Sequence, residues 1–476
     1  MTTSRQSPHH AEIRYGITQL EATPPVGIFH RFWGAANHDV ATGIHRPICV
    51  TASALSSPKP GSSPWILVTS DHCILRPQDM AWMRNRVEES IKDTPGAQVS
   101  FSFGHSHSAG HICSHRSDRP GGDLIAPYLD LLLEKTIDAV RRSLSEMTPA
   151  RVTVANTTCD MGAHRDFQDP SDGQFVCGFN PAKPMSLPVQ VLRVRTTEGR
   201  DLGTLVTYPC HPTTLAWENS LISPDYIGAL REVVESSSGV PCQFLLAPCG
   251  DIGPRHGFVG NVEIADTNGR QLGHSALSAW HSLDHIDGDF VYRGPVLSGA
   301  TLGEWRYEGW SDVEAIFSHE RFQVNLPYRK DLRSPAVVKD ELAEWEAKGE
   351  TPDSTQPDRA GTARAMAERC RREWERVESL PAGDTYPLQV DHLRLGTIDV
   401  ILVEGEPYYQ LLADLQAAAP DREIVVGVLS EGSRCSYMPT LESYSKQLYQ
   451  VDVSLLAAGC LETLTKEIAS RLTVDG

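Results

Sequence analysis

The sequence predicts an α/β fold in which mixed sheets are flanked by helices. Three observations predict it. Val99-Ser100-Phe101-Ser102-Phe103 alternates apolar and polar residues, as a half-buried strand does. Asp123 to Met147 reads as a long amphipathic helix, with Leu124, Leu131, Leu132, Ile137, Val140 and Leu144 on one side. A hairpin expected around Glu198-Gly199-Arg200 sits among strand–helix alternations, which points to a sheet with both parallel and antiparallel neighbours.

The elements follow in order. Residues 1–12 read as a disordered leader, and 13–476 as a single catalytic domain. Ile13 to Leu20 is a candidate strand. Ala22-Thr23-Pro24-Pro25-Val26-Gly27 is a rigid turn, because paired prolines block helix and ladder alike. Ile48–Leu55 and Trp65–Thr69 read as strands, the second ending in Ser70-Asp71-His72. Pro77 to Lys92 has helical spacing with Pro in its first turn. After the long helix come strands at Arg151–Ala155, Val189–Arg195, Gly203–Thr207 and Gln243–Ala247. Helices are expected at Pro224–Ser236 and Glu263–Ser282. Val337–Ala347 and Thr362–Leu380 form a helical hairpin around the Pro- and Ser-containing segment Gly349–Asp358, an insertion at about 337–380. Strands return at Leu388–Leu395, Ile398–Val403 and Glu423–Leu429, with helices at Tyr408–Ala418 and Val453–Leu472.

Composition narrows the function. The 476 residues are 40% hydrophobic and 22% charged, which suits a globular chain with an ample core. A net charge of −18, with no basic run, argues against nucleic-acid and anionic-membrane partners. The 11 cysteines form no C-x-x-C pair and fit reduced thiols in a cytoplasm. No apolar stretch is read as a secretion signal or a membrane span.

The chemistry-bearing residues recur where strands end. Past Phe103 comes Gly104-His105-Ser106-His107-Ser108-Ala109-Gly110-His111. If strand geometry continued past Gly104, His105 and His107 would share a face. Asp71, Arg165, His211, Asp251 and Glu406 also follow strands, where α/β folds place their sites. Each has a plain alternative. His211 also reads as a buried, hydrogen-bonded histidine, Glu406 as a first-turn carboxylate, and Tyr437 and Tyr449 as packing aromatics. Asp251 reads better as a loop-holding residue, and Cys210 as a buried thiol.

Seven short motifs together resemble the neutral, non-lysosomal ceramidase family, and they stand in that family's order. They are Thr23-Pro24-Pro25-Val26-Gly27, His105-Ser106-His107-Ser108, Cys210-His211-Pro212-Thr213, Ile222-Ser223-Pro224-Asp225-Tyr226, Gly250-Asp251-Ile252-Gly253-Pro254-Arg255, Gly405-Glu406-Pro407 and Tyr437-Met438-Pro439-Thr440. The resemblance implies a ceramidase-like catalytic domain, in a short form without the family's C-terminal β-sandwich domain. It implies zinc held by His105, His211, Glu406 and Tyr437. His107 and Arg165 would hold the amide, and Tyr449 would donate to the oxyanion. The family's serine in its Gly-Asp-x-Ser-Pro stretch is Gly253 here. A binuclear site would draw on Asp71, His72 and His111.

The expectation is a zinc-dependent amidohydrolase. It would use a metal-activated water to cleave the C–N bond of a small or polar amide rather than ceramide. A zinc esterase or lactonase on the same residues is the nearest alternative, and a non-catalytic small-molecule-binding relative the next. A metal-free thiol or serine hydrolase is disfavoured, since no Gly-x-Ser-x-Gly elbow is present. The partner expected is a small-molecule amide, with homo-oligomerisation open.

Overall fold

The computed structural model describes residues 5–6, 8–284, 288–310, 316–350, 357–432 and 434–472. Two stacked sheets carry the architecture. The larger has eight strands, in the order Cys242–Leu246, Asp201–Tyr208, Leu187–Thr196, Thr148–Cys159, His10–Glu21, Cys49–Ser56, Trp65–Ser70, Gln98–Phe103. Its outermost pair at each end is parallel and the rest are antiparallel. The smaller sheet has four strands, Phe317–Pro327, Thr385–Leu395, Ile398–Val403 and Glu423–Gly427.

Alternation along the strands explains the layering. Val50, Ala52, Ile66, Val68, Val99 and Phe101 face one side, where Leu129, Leu132 and Val140 of the helix Ile125–Ser145 meet them. Leu55, Trp65, Leu67, Ile13 and Tyr15 face the other, against Leu393, Ile398, Val400 and Leu402 of the smaller sheet. The helices Gln410–Ala418 and Cys460–Leu472 cover the far side of that sheet. The strand Gln98–Phe103 is therefore buried on both faces beyond Gln98, not half-buried as its alternation suggests. Its serines are satisfied: Trp65 Nε1 donates to Ser100 Oγ at 2.9 Å, and Ser102 Oγ donates to the Val428 carbonyl at 2.8 Å.

Twist brings the two ends of the large sheet together. Gln98–Phe103 and Asp201–Tyr208 run in opposite directions, six steps apart. A twist of about 20–25° per step accumulates to roughly 120–150°, so their C-terminal ends approach in space. Gln243 joins the curl, donating to the carbonyls of Thr51 and Leu67 and accepting from Ser53 Oγ at 2.8 Å.

Several expectations need correction. Part of the leader 1–12 is ordered into sheets: Arg5–Gln6 pairs with Phe290–Val291, and the first long strand begins at His10 rather than Ile13. The strands Gly288–Ser298, Ala300–Gly309 and Phe317–Pro327 were not foreseen. The first two are largely exposed, so they lack the one-sided apolar pattern that marks a strand. The closing helix expected at Val453–Leu472 begins only at Cys460, just after Gly459 at φ +88°, and a short helix Tyr449–Val453 that was not foreseen precedes it. The insertion is a helix pair, Pro335–Glu350 and Pro357–Glu378. The tip expected at Gly349–Asp358 lies mostly outside the described residues.

Candidate active site

Three strand ends deliver the centre. His105 follows Gln98–Phe103, His211 follows Asp201–Tyr208, and Glu406 follows Ile398–Val403. The strand geometry does not continue past Gly104: His105 adopts φ +65°, and His107 opens a 3₁₀ turn to Ala109. A non-glycine residue in the left-handed region is strained and is held there by its surroundings. The two histidines still meet, with His105 Nε2 and His107 Nε2 3.3 Å apart. His211 Nε2 lies 2.9 Å from Glu406 Oε2, and His105 Nε2 lies 3.5 Å from the same oxygen. Ligand atoms of His105, His211 and Glu406 all fall within 4.8 Å of one another.

Backbone carbonyls fix both imidazoles. His105 Nδ1 lies 3.1 Å from the Cys73 carbonyl, and His211 Nδ1 lies 2.7 Å from that of Cys249. A carbonyl only accepts, so each Nδ1 carries a hydrogen and each Nε2 is turned to Glu406. Burial pushes the His211 imidazole down to about 4, so it is neutral. Burial alone would raise the Glu406 carboxyl, but the adjacent His105 and His211 hold it well below the ordinary carboxylate range. Burial would lower the His105 imidazole, but the adjacent Cys73 and Glu406 raise it well above its ordinary range, so two imidazoles and a carboxylate placed this way favour a positive charge, a proton or a cation, at their centre.

Two glycines permit this approach. Gly405 sits at φ +77°, and a Cβ there would come within 2.6 Å of the Ser436 carbonyl. That carbonyl accepts from Glu406 N, which pairs Glu406 with Tyr437 in a parallel bridge. A Cβ on Gly250 would lie 2.5 Å from the Glu406 carbonyl, so the loop carrying Cys249 closes directly on the loop carrying Glu406.

A cavity of about 70 Å³ opens on the centre. His105, His107, Glu406, Ser436, Tyr437 and Tyr449 line it from the two sheets and their loops. Arg372 and Arg376 line it from the insertion helix Pro357–Glu378.

Two solved ceramidase structures match nearly the whole chain. A neutral ceramidase from Pseudomonas aeruginosa superposes with a TM-score of 0.65 at 15% identity, covering 98% of this chain and 76% of that one. A ceramidase complexed with C2 gives 0.63 at 14%, with the same coverage. The fold is that of neutral ceramidase. No family model matches the sequence, and no curated protein matches it.

Within this neutral ceramidase fold the remaining sequence candidates separate. Tyr437 is buried beside His211, ring centroids 6.0 Å apart, and Tyr449 stands at the mouth, 45% exposed. Arg165 does not line the cavity. Its guanidinium lies 5.3 Å from the Tyr437 ring and Nη2 donates to the Gly250 carbonyl at 2.6 Å, so it supports Tyr437 from behind. The spare ligands are not gathered here. Asp71 is engaged by Arg231 at 2.6 Å and by Cys49 N, and His72 packs on Tyr128 in the core. His111 lines the cavity but lies beside Arg116, outside the ligand group. Asp251 holds a loop, as expected, accepting from Tyr409 N at 2.8 Å.

Three residues escaped the sequence reading. Cys73 lies against His105, its Sγ 3.5 Å from Nδ1, and could join His105 and His107 in a second ligand group. Its position after Asp71-His72 at a strand end was the available signal. Arg372 and Arg376 had none, because arginines on a charged helix read as its solvated face.

Proposed function

We propose that this protein is a zinc-dependent hydrolase that cleaves the C–N bond of a small or polar carboxamide. One observation carries the reading. Two imidazoles, each locked by a backbone carbonyl on Nδ1, aim Nε2 at one carboxylate oxygen of Glu406. Such carbonyl locks orient metal-binding histidines. Two histidines and a carboxylate are a catalytic donor set, since they leave a coordination position open. The residues present fit zinc, with His105, His211 and Glu406 as ligands and the Tyr437 phenol beside them. Zinc bound there supplies activation of a water at near-neutral pH and polarisation of a carbonyl.

The chain's own groups do the rest. Burial and the neighbouring His105 push the His107 imidazole far below its ordinary range, so it is neutral in the resting site, and it would hold the amide there. Burial, reinforced by Glu406, raises the Tyr437 phenol well above its usual range and keeps it a hydrogen-bond donor. Tyr437 and Tyr449 would then donate to negative charge developing on the carbonyl oxygen. Arg165 would position Tyr437. The insertion helix would exclude water, since it forms one wall of the cavity.

The wider assignments follow the same reading. A small-molecule amide is the partner, without nucleic acid or membrane, in keeping with the net charge of −18. The 11 cysteines are free thiols, which favours a reducing cytoplasm. Among the described residues no helix is long and apolar enough to cross a membrane.

The test is the metal content of purified, undialysed protein by elemental mass spectrometry, followed by a matched panel of amides and esters. About one zinc per chain with amide cleavage supports the proposal. Cleavage of the esters alone would move the assignment to an esterase. Folded protein that neither holds nor takes up zinc would remove the hydrolase reading and leave a binding protein.

A further inference from the structure

Four guanidiniums gather where the insertion meets the cavity. Arg76 precedes the helix Pro77–Ser90, and Arg116 ends a 3₁₀ turn. Arg372 and Arg376 stand four residues apart on the helix Pro357–Glu378. Two buried carboxylates answer them. Glu368 accepts from Arg116 at 2.8 and 3.0 Å and from Arg372 Nε at 2.9 Å. Glu375 pairs with Arg76, and with Arg116 at 3.1 Å. Glu373, the next carboxylate on the helix, turns away to Arg333. Four cations against two anions leave two positive charges in excess.

That excess faces the cavity. Arg76, Arg372 and Arg376 line it, and Glu406 is the one carboxylate among its lining residues. Arg372 Nη2 and Arg376 Nε are buried with no hydrogen-bond acceptor among the described residues. Buried donors without acceptors are costly, and a planar guanidinium matches a carboxylate in both geometry and charge. Arg372 is held in place by stacking: its Cζ lies 4.2 Å from the Phe32 ring centroid. The same ring lies 4.1 Å from His107, so one wall joins the arginines to the histidines.

We infer that the cavity takes an anionic amide, whose carboxylate docks against Arg372 and Arg376 while its scissile carbonyl reaches the His105–His211–Glu406 end. This rests on the amide-hydrolase reading and narrows its substrate class. Arg372 and Arg376 are then specificity-determining residues, supplied by the insertion.

The experiment uses two probes of equal size, N-acetylglycine and its neutral counterpart N-acetylglycinamide. Binding to the zinc-loaded chain is measured by calorimetry and hydrolysis by product assay, for the wild type, Arg372→Gln, Arg376→Gln and Arg376→Lys. The wild type should favour the acid at least tenfold in both readouts. Each Gln variant should lose most of that ratio, and the Lys variant should keep part of it. Equal affinities in the wild type would overturn the inference. So would a preference unchanged by both Gln substitutions, which would belong to the metal. Cleavage of both probes without preference would leave the hydrolase and remove the anion site. An arginine-dependent binding preference without cleavage of either would do the reverse. If Arg372→Gln fails to fold, Arg376→Gln carries the test, because Arg376 makes no ion pair among the described residues.

Discussion

His211 Nε2 lies 2.9 Å from Glu406 Oε2 while the His211 Nδ1 hydrogen is committed to the Cys249 carbonyl. The contact is repulsive unless a cation or a proton stands between the two atoms. A metal would hold them together, and its loss would leave the buried Glu406 carboxylate facing the neutral His211. His211→Ala and Glu406→Ala should therefore lose metal and activity together, with the fold retained. Metal analysis beside circular dichroism checks this. Full activity in the His211 variant would defeat the ligand assignment.

Gly405 gives a subtler test, because it touches the centre only through the backbone. Alanine there meets both a positive φ and the Ser436 carbonyl 2.6 Å from its Cβ. The Glu406–Tyr437 bridge must shift to admit it. Gly405→Ala should lower metal affinity by about 10–100-fold, the usual scale for disturbing a ligand's support. A competition titration against a chelator reads the change.

Arg116 docks the insertion on the body. It is 1% exposed and bonds Glu368 and Glu375, both buried. Removing one partner of a buried ion pair strands the other and costs about 3–5 kcal/mol. Arg116→Met should lower stability on that scale and loosen the helix Pro357–Glu378 in hydrogen exchange before the sheets respond. Uniform loss of protection across the chain would contradict a docked insertion.

Local pattern carried much of this fold, and long-range closure carried the site. The strands at Trp65, Val99 and Ile398 were legible because apolar residues alternate or run continuously there. The hairpin Gly288–Gly309 was not, since Leu297, Leu302 and Tyr307 are exposed and mark no buried face. The late start of the closing helix has a local cause: Ser454 Oγ donates to the Tyr437 carbonyl at 2.9 Å, which ties the chain to the site where that helix was expected to begin. His105, His211 and Glu406 were nameable through family resemblance, but twist of the larger sheet brings the first two together, and stacking of the smaller sheet on it brings Glu406. Arg165 was named for the substrate and stands behind Tyr437 instead. One-dimensional order places a residue near a site without saying which layer it occupies.

His72 makes stability depend on pH away from the centre. It is fully buried against Tyr128, with ring centroids 5.9 Å apart, and burial pushes its imidazole down to about 4. Unfolded, it takes a proton near 6.5. Between those values the unfolded chain binds more protons than the folded one, so stability falls as pH falls. The contribution is complete above about 6.5 and is lost on the way down to about 4, amounting to on the order of 3 kcal/mol. Urea unfolding of the wild type and His72→Leu, at intervals between pH 7 and 4.5, isolates it. The stability difference between the two chains should narrow, or reverse in favour of leucine, as the pH drops. A difference that stays constant across the range would show that His72 keeps an ordinary proton affinity in the folded chain.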